Sequence, residues 1–533
     1  MVMNIFDGFL KNKKESILQI LLIIGCLILL NYIVSGIILR FDMTDNHQYT
    51  LSKPSKQIAE KIKDPITVTA YFSSHLPQRL AMVQDQFKNL LDEFRSYSHG
   101  NVEYKFVNPN KNNQSERKAQ QAGVRPVMVD VRKRDQVSQK RAYLGAVFQY
   151  DGKKQVIPVI RPGNSMEYTI ASTVKMLTIK KKPKIGLLQG DGEPSQQSMP
   201  QLMKELNQEY SVVNVPSSEL DTTQVPANIE VLMVIGPSKK LDPKVLQSID
   251  QYIMAGGKAI FAVNRVNGYI QRGVAVPNDT GVDKLLASYD IPVNVDLVRD
   301  VSSTSIGVRQ QQGGYQFVNQ VRYPYIPIIT NFADNPITKG LESVVFKFVS
   351  SIDVSKADSL QKITVLARSS KKSGSEQGYF NVNPFQKWTK NQFNDPNLPV
   401  AALITGKFNS AYAKVDSVHL KLKKSVPTSL VVIGDGDFVV NGNRRLQQQQ
   451  QQLPSDNISL MVNSVDWLAD DTGLMALRTK GITDRPLEIV SDSAKTVLKY
   501  ANLFLPILLV LGYGFFRYER KKKRRRRWME QGL

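Results

Sequence analysis

Two long apolar runs lie near the two ends of the sequence. The first covers residues 17–39, which are 23 consecutive positions without a charged side chain. A helix of that length spans the roughly 30 Å of hydrocarbon in a bilayer. The second run covers residues 501–516, and residues 497–500 extend it. The pattern therefore predicts transmembrane helices at residues 17–39 and 497–516.

Basic residues flank both apolar runs on the side that faces away from the middle of the chain. Three lysines precede the first run, and residues 517–527 follow the second with nine basic residues and one acid. Positively charged flanks remain in the cytoplasm. We therefore expect residues 1–16 and 517–533 to be cytoplasmic and the main part of the chain to lie outside. Because the apolar run already explains the basic block, no nucleic-acid partner is expected.

The pattern of residues 40–180 predicts a small α/β domain. Residues 66–72 alternate between apolar and polar positions as a strand does, and residues 80–97 carry apolar positions at helical spacing. Asp151 and Gly152 are expected to join two further strands, since this dipeptide favours a tight hairpin turn. The predicted order βαβαββα is that of a thioredoxin-like fold.

Residues 181–490 predict a larger second domain. Short, continuously apolar strands alternate there with helices, and we expect these strands at residues 184–188, 231–235, 258–263 and 429–433. Strands of this kind form a parallel sheet that helices cover on both faces. The pattern therefore predicts a doubly wound α/β fold, with an irregular insertion at about residues 300–425.

The residues that carry chemistry argue against the common classes of enzyme. The one cysteine, Cys26, lies in the first apolar run, so neither thioredoxin chemistry nor a cysteine nucleophile is expected outside the membrane. His47, His75, His99 and His419 show no metal-ligand spacing, and the phosphate-binding motif G-x-x-x-x-G-K-[ST] is missing. We therefore expect a protein that is not an enzyme, holds no cofactor or metal, and cannot hydrolyse ATP by itself.

Two acidic loops follow predicted strands of the second domain. Asp191 and Glu193 come after the first of these strands, and Asp435 and Asp437 come after the last. Ligands of doubly wound sheets bind at the carboxyl ends of the strands, so the four carboxylates could together hold a hard cation or a hydroxyl-rich sugar. The alternative is that they form turns and cap helix starts.

Three stretches, in this order, resemble the GldG-type auxiliary subunits of gliding-motility-associated ABC transporters. They are Asp42-x-Thr44 with Tyr49-Thr-Leu-Ser52 directly after the first apolar run, residues 231–264, and residues 430–442 together with 462–471. The resemblance implies a flavodoxin-like or glutamine-amidotransferase-like second domain. It also implies a place in the bacterial cytoplasmic membrane with the main domain in the periplasm, and two partners, a multi-span permease and a separate P-loop ATPase.

Asp42, Thr44 and Tyr49 follow the first membrane helix directly. They would contact a partner at the membrane face, or they would form a structured linker. The favoured hypothesis is a non-enzymatic auxiliary subunit of an ABC-type transporter that serves gliding motility or surface export. A stand-alone module that binds peptidoglycan or another envelope glycan is the alternative, followed by a hydrolase that depends on the four carboxylates. Self-association of the chain is left open.

Overall fold

The computed structural model describes residues 50–530, with gaps, together with Leu22, Gly25 and Leu29 of the first apolar run. Apart from these three positions, the first predicted membrane helix lies outside the described residues, and so do Asp42, Thr44 and Tyr49. The chain divides into two units, residues 1–481 and residues 482–533. The gaps are residues 75, 134–135, 161–164, 180, 221–223, 313–314, 356–360, 414–420, 443–451 and 479–491.

The first sheet is built from the strands β1 (Ile66–Phe72), β2 (Val102–Val107), β3 (Pro126–Lys133), β4 (Gln136–Tyr150) and β5 (Lys153–Ile157). Their order is β2-β1-β4-β3, and β5 pairs with the end of β4. Strands β1 and β2 run parallel, and the other pairs are antiparallel. Asp151 and Gly152 connect β4 to β5 with φ angles of 46° and 73°, the left-handed values that a two-residue hairpin needs. The predicted turn is confirmed.

The helices around the first sheet are α1 (Lys53–Glu60), α2 (Gln78–Tyr97), α3 (Asn113–Gln121) and α4 (Met166–Thr178). Phe87, Leu91 and Phe94 recur at helical spacing in α2 and are fully buried in one core with β1. Leu474 and Leu477 from the 3-10 helix Leu474–Arg478 belong to the same core. The chain therefore returns to the first sheet after it has built the second.

The remaining strands are β6 (Lys184–Gln189), β7 (Ser211–Pro216), β8 (Ile229–Ile235), β9 (Lys258–Ala262), β10 (Val266–Tyr269), β11 (Val274–Pro277), β12 (Asp296–Asp300), β13 (Ser303–Gln312), β14 (Tyr315–Ile329), β15 (Asn331–Phe332), β16 (Val344–Val345), β17 (Gln361–Arg368), β18 (Ser373–Gln377), β19 (Pro399–Gly406) and β20 (Thr428–Ile433). The main sheet has the order β15-β17-β19-β20-β9-β8-β6-β7. Its part from β20 to β7 is parallel, and β15, β17 and β19 add an antiparallel edge.

Helices cover both faces of the main sheet. They are α5 (Pro200–Glu209), α6 (Ser217–Leu220), α7 (Pro243–Met254), α8 (Val282–Ser288) and α9 (Ser455–Ala469). Leu202 of α5 and Leu460 of α9 share one core with Met233 of β8, while Ile249 of α7 shares the other with the neighbouring Leu232. Successive residues of one strand thus point into different cores, which explains why the strands are apolar throughout. The predicted parallel, doubly covered sheet is confirmed for its central strands.

The segment at residues 300–425, which we expected to be an irregular insertion, contains the strands β13 to β19. Strands β13 and β14 form a long antiparallel hairpin, and β17 and β19 belong to the main sheet. The hairpin lacks a two-residue apolar period because glutamine and exposed side chains such as Val318 occupy its outer half. Residues 378–398 remain a loop that contains only the short 3-10 helix Lys390–Phe393.

The second unit contains the helix α10 (Asp492–Glu530). Its segment Lys499–Lys523 is long and apolar enough to cross a membrane, and within the described residues it is the one helix that meets this test. Large apolar side chains such as Leu508 and Val510 are exposed to 63% and 71%. The second predicted membrane helix, residues 497–516, falls within α10.

Candidate functional site

A cleft of 740 Å³ opens beside the carboxyl ends of β6, β8, β9 and β20. The loops that follow these strands supply Glu193, Ser238, Asn264 and Asp437 to its lining. Parallel strands place their carboxyl ends along one edge of the sheet, so residues distant in sequence meet there. This is the edge at which the sequence analysis placed the four acidic residues, either as a ligand site or as turn and cap residues.

Glu193 is the buried carboxyl group of the cleft, with 4% of its surface exposed. Its Oε2 accepts hydrogen bonds from the backbone N–H groups of Gly190 at 2.9 Å and Asp191 at 2.7 Å. Its Oε1 is buried and has no hydrogen-bond partner among the described residues. Burial raises the pKa of Glu193, and the backbone donors oppose this rise. One carboxyl oxygen therefore holds the loop, and the other is buried without a partner among the described residues.

Asp191 supports the loop but does not line the cleft. Its backbone carbonyl accepts hydrogen bonds from the N–H groups of Ser238 at 3.1 Å and Lys239 at 2.9 Å. These bonds join the loop after β6 to the loop after β8. The side-chain Oδ2 of Asp191 is buried and has no partner among the described residues. The role of Asp191 in this structure is to connect two loops.

Asp435 lies beneath the cleft and is fully buried. Its carboxylate accepts hydrogen bonds from the backbone N–H groups of Lys347 and Asp437, each at 2.6 Å. Burial raises the pKa of Asp435 to about 7, and the neighbouring charge of Asp437 adds to the rise. Lys347 and Asp437 both line the cleft. Asp435 therefore positions two cleft residues without facing the cleft itself.

Asp437 projects into the cleft, where Asn264 holds it. The amide Nδ2 of Asn264 donates to a carboxylate oxygen of Asp437 at 3.1 Å, and the amide Oδ1 accepts from the N–H of Gly436 at 2.7 Å. Desolvation raises the pKa of Asp437, while the charge of Lys347 opposes the rise. The sequence analysis did not single out Asn264, although a polar residue directly after the apolar strand β9 was a usable signal.

Aromatic side chains form another wall of the cleft. Phe348 has a φ angle of 52°, a strained value for a bulky residue, and Tyr269 is 45% exposed. A Cβ on Gly268 would lie 2.4 Å from the ring of Phe348, so only glycine admits the ring at this distance. Lys347 and Phe348 were missed because they lie in the segment expected to be irregular.

Two of the four predicted carboxylates thus face the same cleft, and the other two support it. Asp437 provides an exposed acceptor, Glu193 contributes a buried carboxyl group to the wall, and Lys347 and the amide of Asn264 provide donors. Over the residues that the structure describes, no group of three or more His, Cys, Asp or Glu side chains is placed to hold a metal ion. The arrangement can bind a polar ligand through several hydrogen bonds. Asp42, Thr44 and Tyr49 are not among the described residues.

The cleft region and most of the chain match families and proteins that are already known. Residues 182–464, more than half of the chain, match the family described as an ABC-type uncharacterized transport system. Residues 45–149 match a domain family of unknown function. A protein of Borreliella burgdorferi, described as uncharacterized, is 26% identical over an alignment of 530 positions. The match covers 96% of this chain and 100% of that protein.

Solved structures show weaker similarity. The mmIFT52 N-terminal domain is 16% identical, covers 54% of this chain and 96% of its own, and has a TM-score of 0.32. A Thermoplasma acidophilum protein assigned to GMP synthase is 11% identical, covers 56% of this chain and 96% of its own, and has a TM-score of 0.24. Scores of this size carry no argument about function.

Proposed function

Because the chain belongs to the auxiliary family of ABC-type transport systems, we propose that it is a non-enzymatic, membrane-anchored subunit of such a transporter. The family match over residues 182–464 carries this proposal. The partners we propose are a multi-span permease and a separate P-loop ATPase, since the chain has no phosphate-binding motif of its own. As the process served, we propose gliding motility or surface export.

We propose that two helices anchor the protein in the bacterial cytoplasmic membrane, at residues 17–39 and 497–516. The exposed apolar side chains of α10 and the basic residues that follow them support the second anchor. Both ends of the chain would then lie in the cytoplasm, and residues 40–490, here called the body, would lie in the periplasm. Asp42, Thr44 and Tyr49 would meet the permease where the first anchor leaves the membrane.

The domain assignment that fits this proposal has two parts. Residues 40–180 would form a thioredoxin-like domain without redox cysteines, which the strand order β2-β1-β4 and the helices α2 and α4 support. Residues 181–490 would form a flavodoxin-like or glutamine-amidotransferase-like domain, which the parallel strands with helices on both faces support. The cleft would then receive a ligand that the transporter handles.

Co-purification tests the proposed role. The full chain is tagged at its C-terminus, produced from its own chromosomal locus, and isolated in a mild detergent. We expect a multi-span permease and a P-loop ATPase to accompany it in near-equal amounts. A matched control replaces residues 497–516 with an unrelated single-span helix and should lose both partners. Isolation of the intact chain without any permease or ATPase would refute the proposal.

The cleft favours a second candidate, a module that binds peptidoglycan or another envelope glycan. An exposed carboxylate and an amide bind sugar hydroxyls, and an aromatic ring packs against the apolar face of a sugar. Asp437, Asn264 and Tyr269 provide these groups. Binding to purified peptidoglycan that Glu193→Gln and Asp437→Asn both abolish, without any transporter partner, would favour this candidate. Glycan cleavage lost with those variants would instead favour a hydrolase.

A further inference from the structure

A second cavity, of 330 Å³, lies where the two sheets of the body meet. It is bounded by α4 beside the first sheet, by α5 and α9 beside the main sheet, and by the 3-10 helix Leu474–Arg478. It shares no lining residue with the cleft at the strand ends. The features of this cavity are therefore independent of the function proposed above.

Two carboxyl groups, those of Glu209 and Asp466, line the cavity side by side. Asp466 accepts a hydrogen bond from the hydroxyl of Tyr210 at 2.9 Å. The carboxyl of Glu209, although mostly buried, accepts none from any residue that the structure describes. Burial and the charge of Asp466 raise the pKa of Glu209 to about 7, and burial raises that of Asp466 to about 6. Lys175 and Arg478 already oppose both increases in pKa, and a further cation would oppose them more.

The walls of the cavity are aromatic and apolar. Tyr168 and Met176 come from α4, and Leu474 and Met475 come from the 3-10 helix. The hydroxyl of Tyr168 contacts the sulfur of Met475 at 3.2 Å, which fixes both walls relative to each other. Tyrosine faces and thioether sulfurs accommodate alkyl groups and attract ammonium groups. These walls suit the aliphatic part of a small ligand that carries an amine.

Lysine side chains line the opening of the cavity. Lys153, Lys154 and Lys182 are exposed there. Lys153 donates to the carbonyl of Ile179 at 3.1 Å, and Lys182 donates to the carbonyl of Asn207 at 2.6 Å. Both of these bonds go to neutral acceptors, and the charge of Lys182 also acts on the carboxyl of Glu209. The opening therefore attracts an anionic group, while the acids attract a cationic one.

From this geometry we propose that the cavity binds a small zwitterion. Its ammonium group contacts Glu209 and Asp466, its aliphatic part lies against Tyr168 and Met475, and its anionic group faces Lys154 at the opening. A free amino acid and the phosphoethanolamine headgroup of a lipid share this chemistry. Because the ligand contacts both sheet regions and the 3-10 helix, its binding also braces their junction.

The proposed contact between the ammonium group of the ligand and Glu209 makes the binding affinity depend on pH. The charged and titratable groups around the Glu209 carboxyl are Tyr168, Lys175, Lys182, Tyr210, Asp466, Asp470 and Arg478. Because the ammonium takes the place of the proton on Glu209, affinity should rise as the pH increases from 5.5 to 8, through the pKa of about 7. Binding at pH 6.5 should release protons, which calorimetry in buffers of different ionisation enthalpy measures.

Titration calorimetry of the full chain in dodecyl maltoside at pH 8 tests the proposal with four probes: L-methionine, O-phosphoethanolamine, n-butylamine and butyrate. We expect one of the two zwitterions to bind at least tenfold more tightly than n-butylamine, and butyrate not to bind. The zwitterion that binds identifies the source, amino acid or lipid headgroup. Equal binding of n-butylamine, or no heat with any probe, would overturn the proposal.

Two variants of α5 make the test specific. Glu209→Gln keeps the size of the side chain and should weaken zwitterion binding at least tenfold. Glu205→Gln removes the same charge one turn earlier, at an exposed position whose carboxyl bonds Gln208, and should bind as the unaltered chain does. Circular dichroism and the thermal midpoint confirm that both variants fold. Unchanged binding by a folded Glu209→Gln variant would overturn the proposal.

Discussion

The carboxyl groups of Asp250 and Glu209 are both removed from water, but their hydrogen-bonding environments are opposite. Asp250 is completely buried, and it accepts hydrogen bonds from the hydroxyls of Tyr289 at 2.9 Å and Ser410 at 2.7 Å and from the N–H of Ala411 at 2.9 Å. These three hydrogen bonds compensate the Asp250 carboxylate for the contacts with water that it loses on burial. Glu209 has no such donors among the described residues, so its environment disfavours the charged form.

The first prediction concerns Glu209 and pH. A carboxyl whose pKa is higher in the folded state than in the unfolded state binds more protons when folded, so its contribution to stability is lost as the pH rises through the folded-state value. For Glu209 this loss falls between its ordinary value of 4.5 and about 7. Glu209→Gln should therefore be more stable than the unaltered chain at pH 8, by about 2 kcal/mol after allowance for partial exposure.

Thermal unfolding at pH 5 and pH 8 measures this effect. The advantage of Glu209→Gln should vanish at pH 5, where the glutamate is already protonated. Glu205→Gln, at an exposed position of the same helix, should show no pH-dependent advantage. A Glu209→Gln variant that is equally destabilised at both pH values would contradict the prediction. It would show that the folded protein stabilises the ionised carboxylate of Glu209.

At the scale of elements, the cleft depends on the close contact of two loops. A Cβ on Gly436, in the loop after β20, would lie 2.5 Å from the Cα of Gly236 in the loop after β8. Backbone atoms cannot yield as a flexible side chain does, so the two loops would have to separate. The second prediction is that Gly436→Ala destabilises the body by at least about 2 kcal/mol.

Chemical denaturation of the detergent-solubilised chain measures the effect of Gly436→Ala. Gly512→Ala serves as the control, because a Cβ there meets no atom within 4 Å and alanine favours a helix. The control should leave the denaturation midpoint unchanged. Equal midpoints for the two variants would mean that the loops around the cleft are free to move apart.

The sequence predicted those elements whose own residues form a recognisable local pattern. The apolar strands at β6, β8, β9 and β20 and the Asp151-Gly152 turn were predicted because a local pattern specifies each of them. Strand β19 is as apolar as these, but it follows a long loop and pairs antiparallel with β20, so no βα repeat marks it. The return of Leu474 and Leu477 to the first core is a tertiary contact without a local pattern.

The candidate site was predictable to a similar extent. All four acids were found because each follows a strand directly, but the sequence could not show that Asp191 and Asp435 support the loops while Glu193 and Asp437 face the cleft. That distinction depends on backbone donors, such as the N–H of Lys347, that come from a different part of the chain. Lys347 itself carries no motif, and only the fold brings it to the cleft.

At the scale of the whole molecule, the distribution of charge determines the expected topology. The chain carries a net charge of +23, and nine of its basic residues lie at positions 517–527. The third prediction is that changing residues 520–527 to glutamine exposes the C-terminus outside the membrane several-fold more often, because the signal that retains it is gone. The body should remain outside, held by the first anchor.

Cysteine labelling measures this topology. Cys26 is the one cysteine of the chain, so a Cys26→Ser background with Gln531→Cys carries a single reporter thiol. A membrane-impermeant maleimide should label intact cells only after residues 520–527 are neutralised. A second reporter, Tyr379→Cys on the body, is 79% exposed in the unaltered chain and should be labelled in both backgrounds. Labelling of Gln531→Cys in the unaltered background would contradict the proposed topology.

The proposed function requires that this protein, which has no P-loop ATPase motif, acts through contact with a transporter. Photo-crosslinking in living cells tests it most directly, with a photoreactive residue at Leu508 or Val510 of α10 and, as a control, at Tyr379 of the body. The two α10 positions should crosslink to a multi-span permease encoded with a P-loop ATPase. Adducts at Leu508 and Val510 that contain only lipid, with no permease at either position, would contradict it.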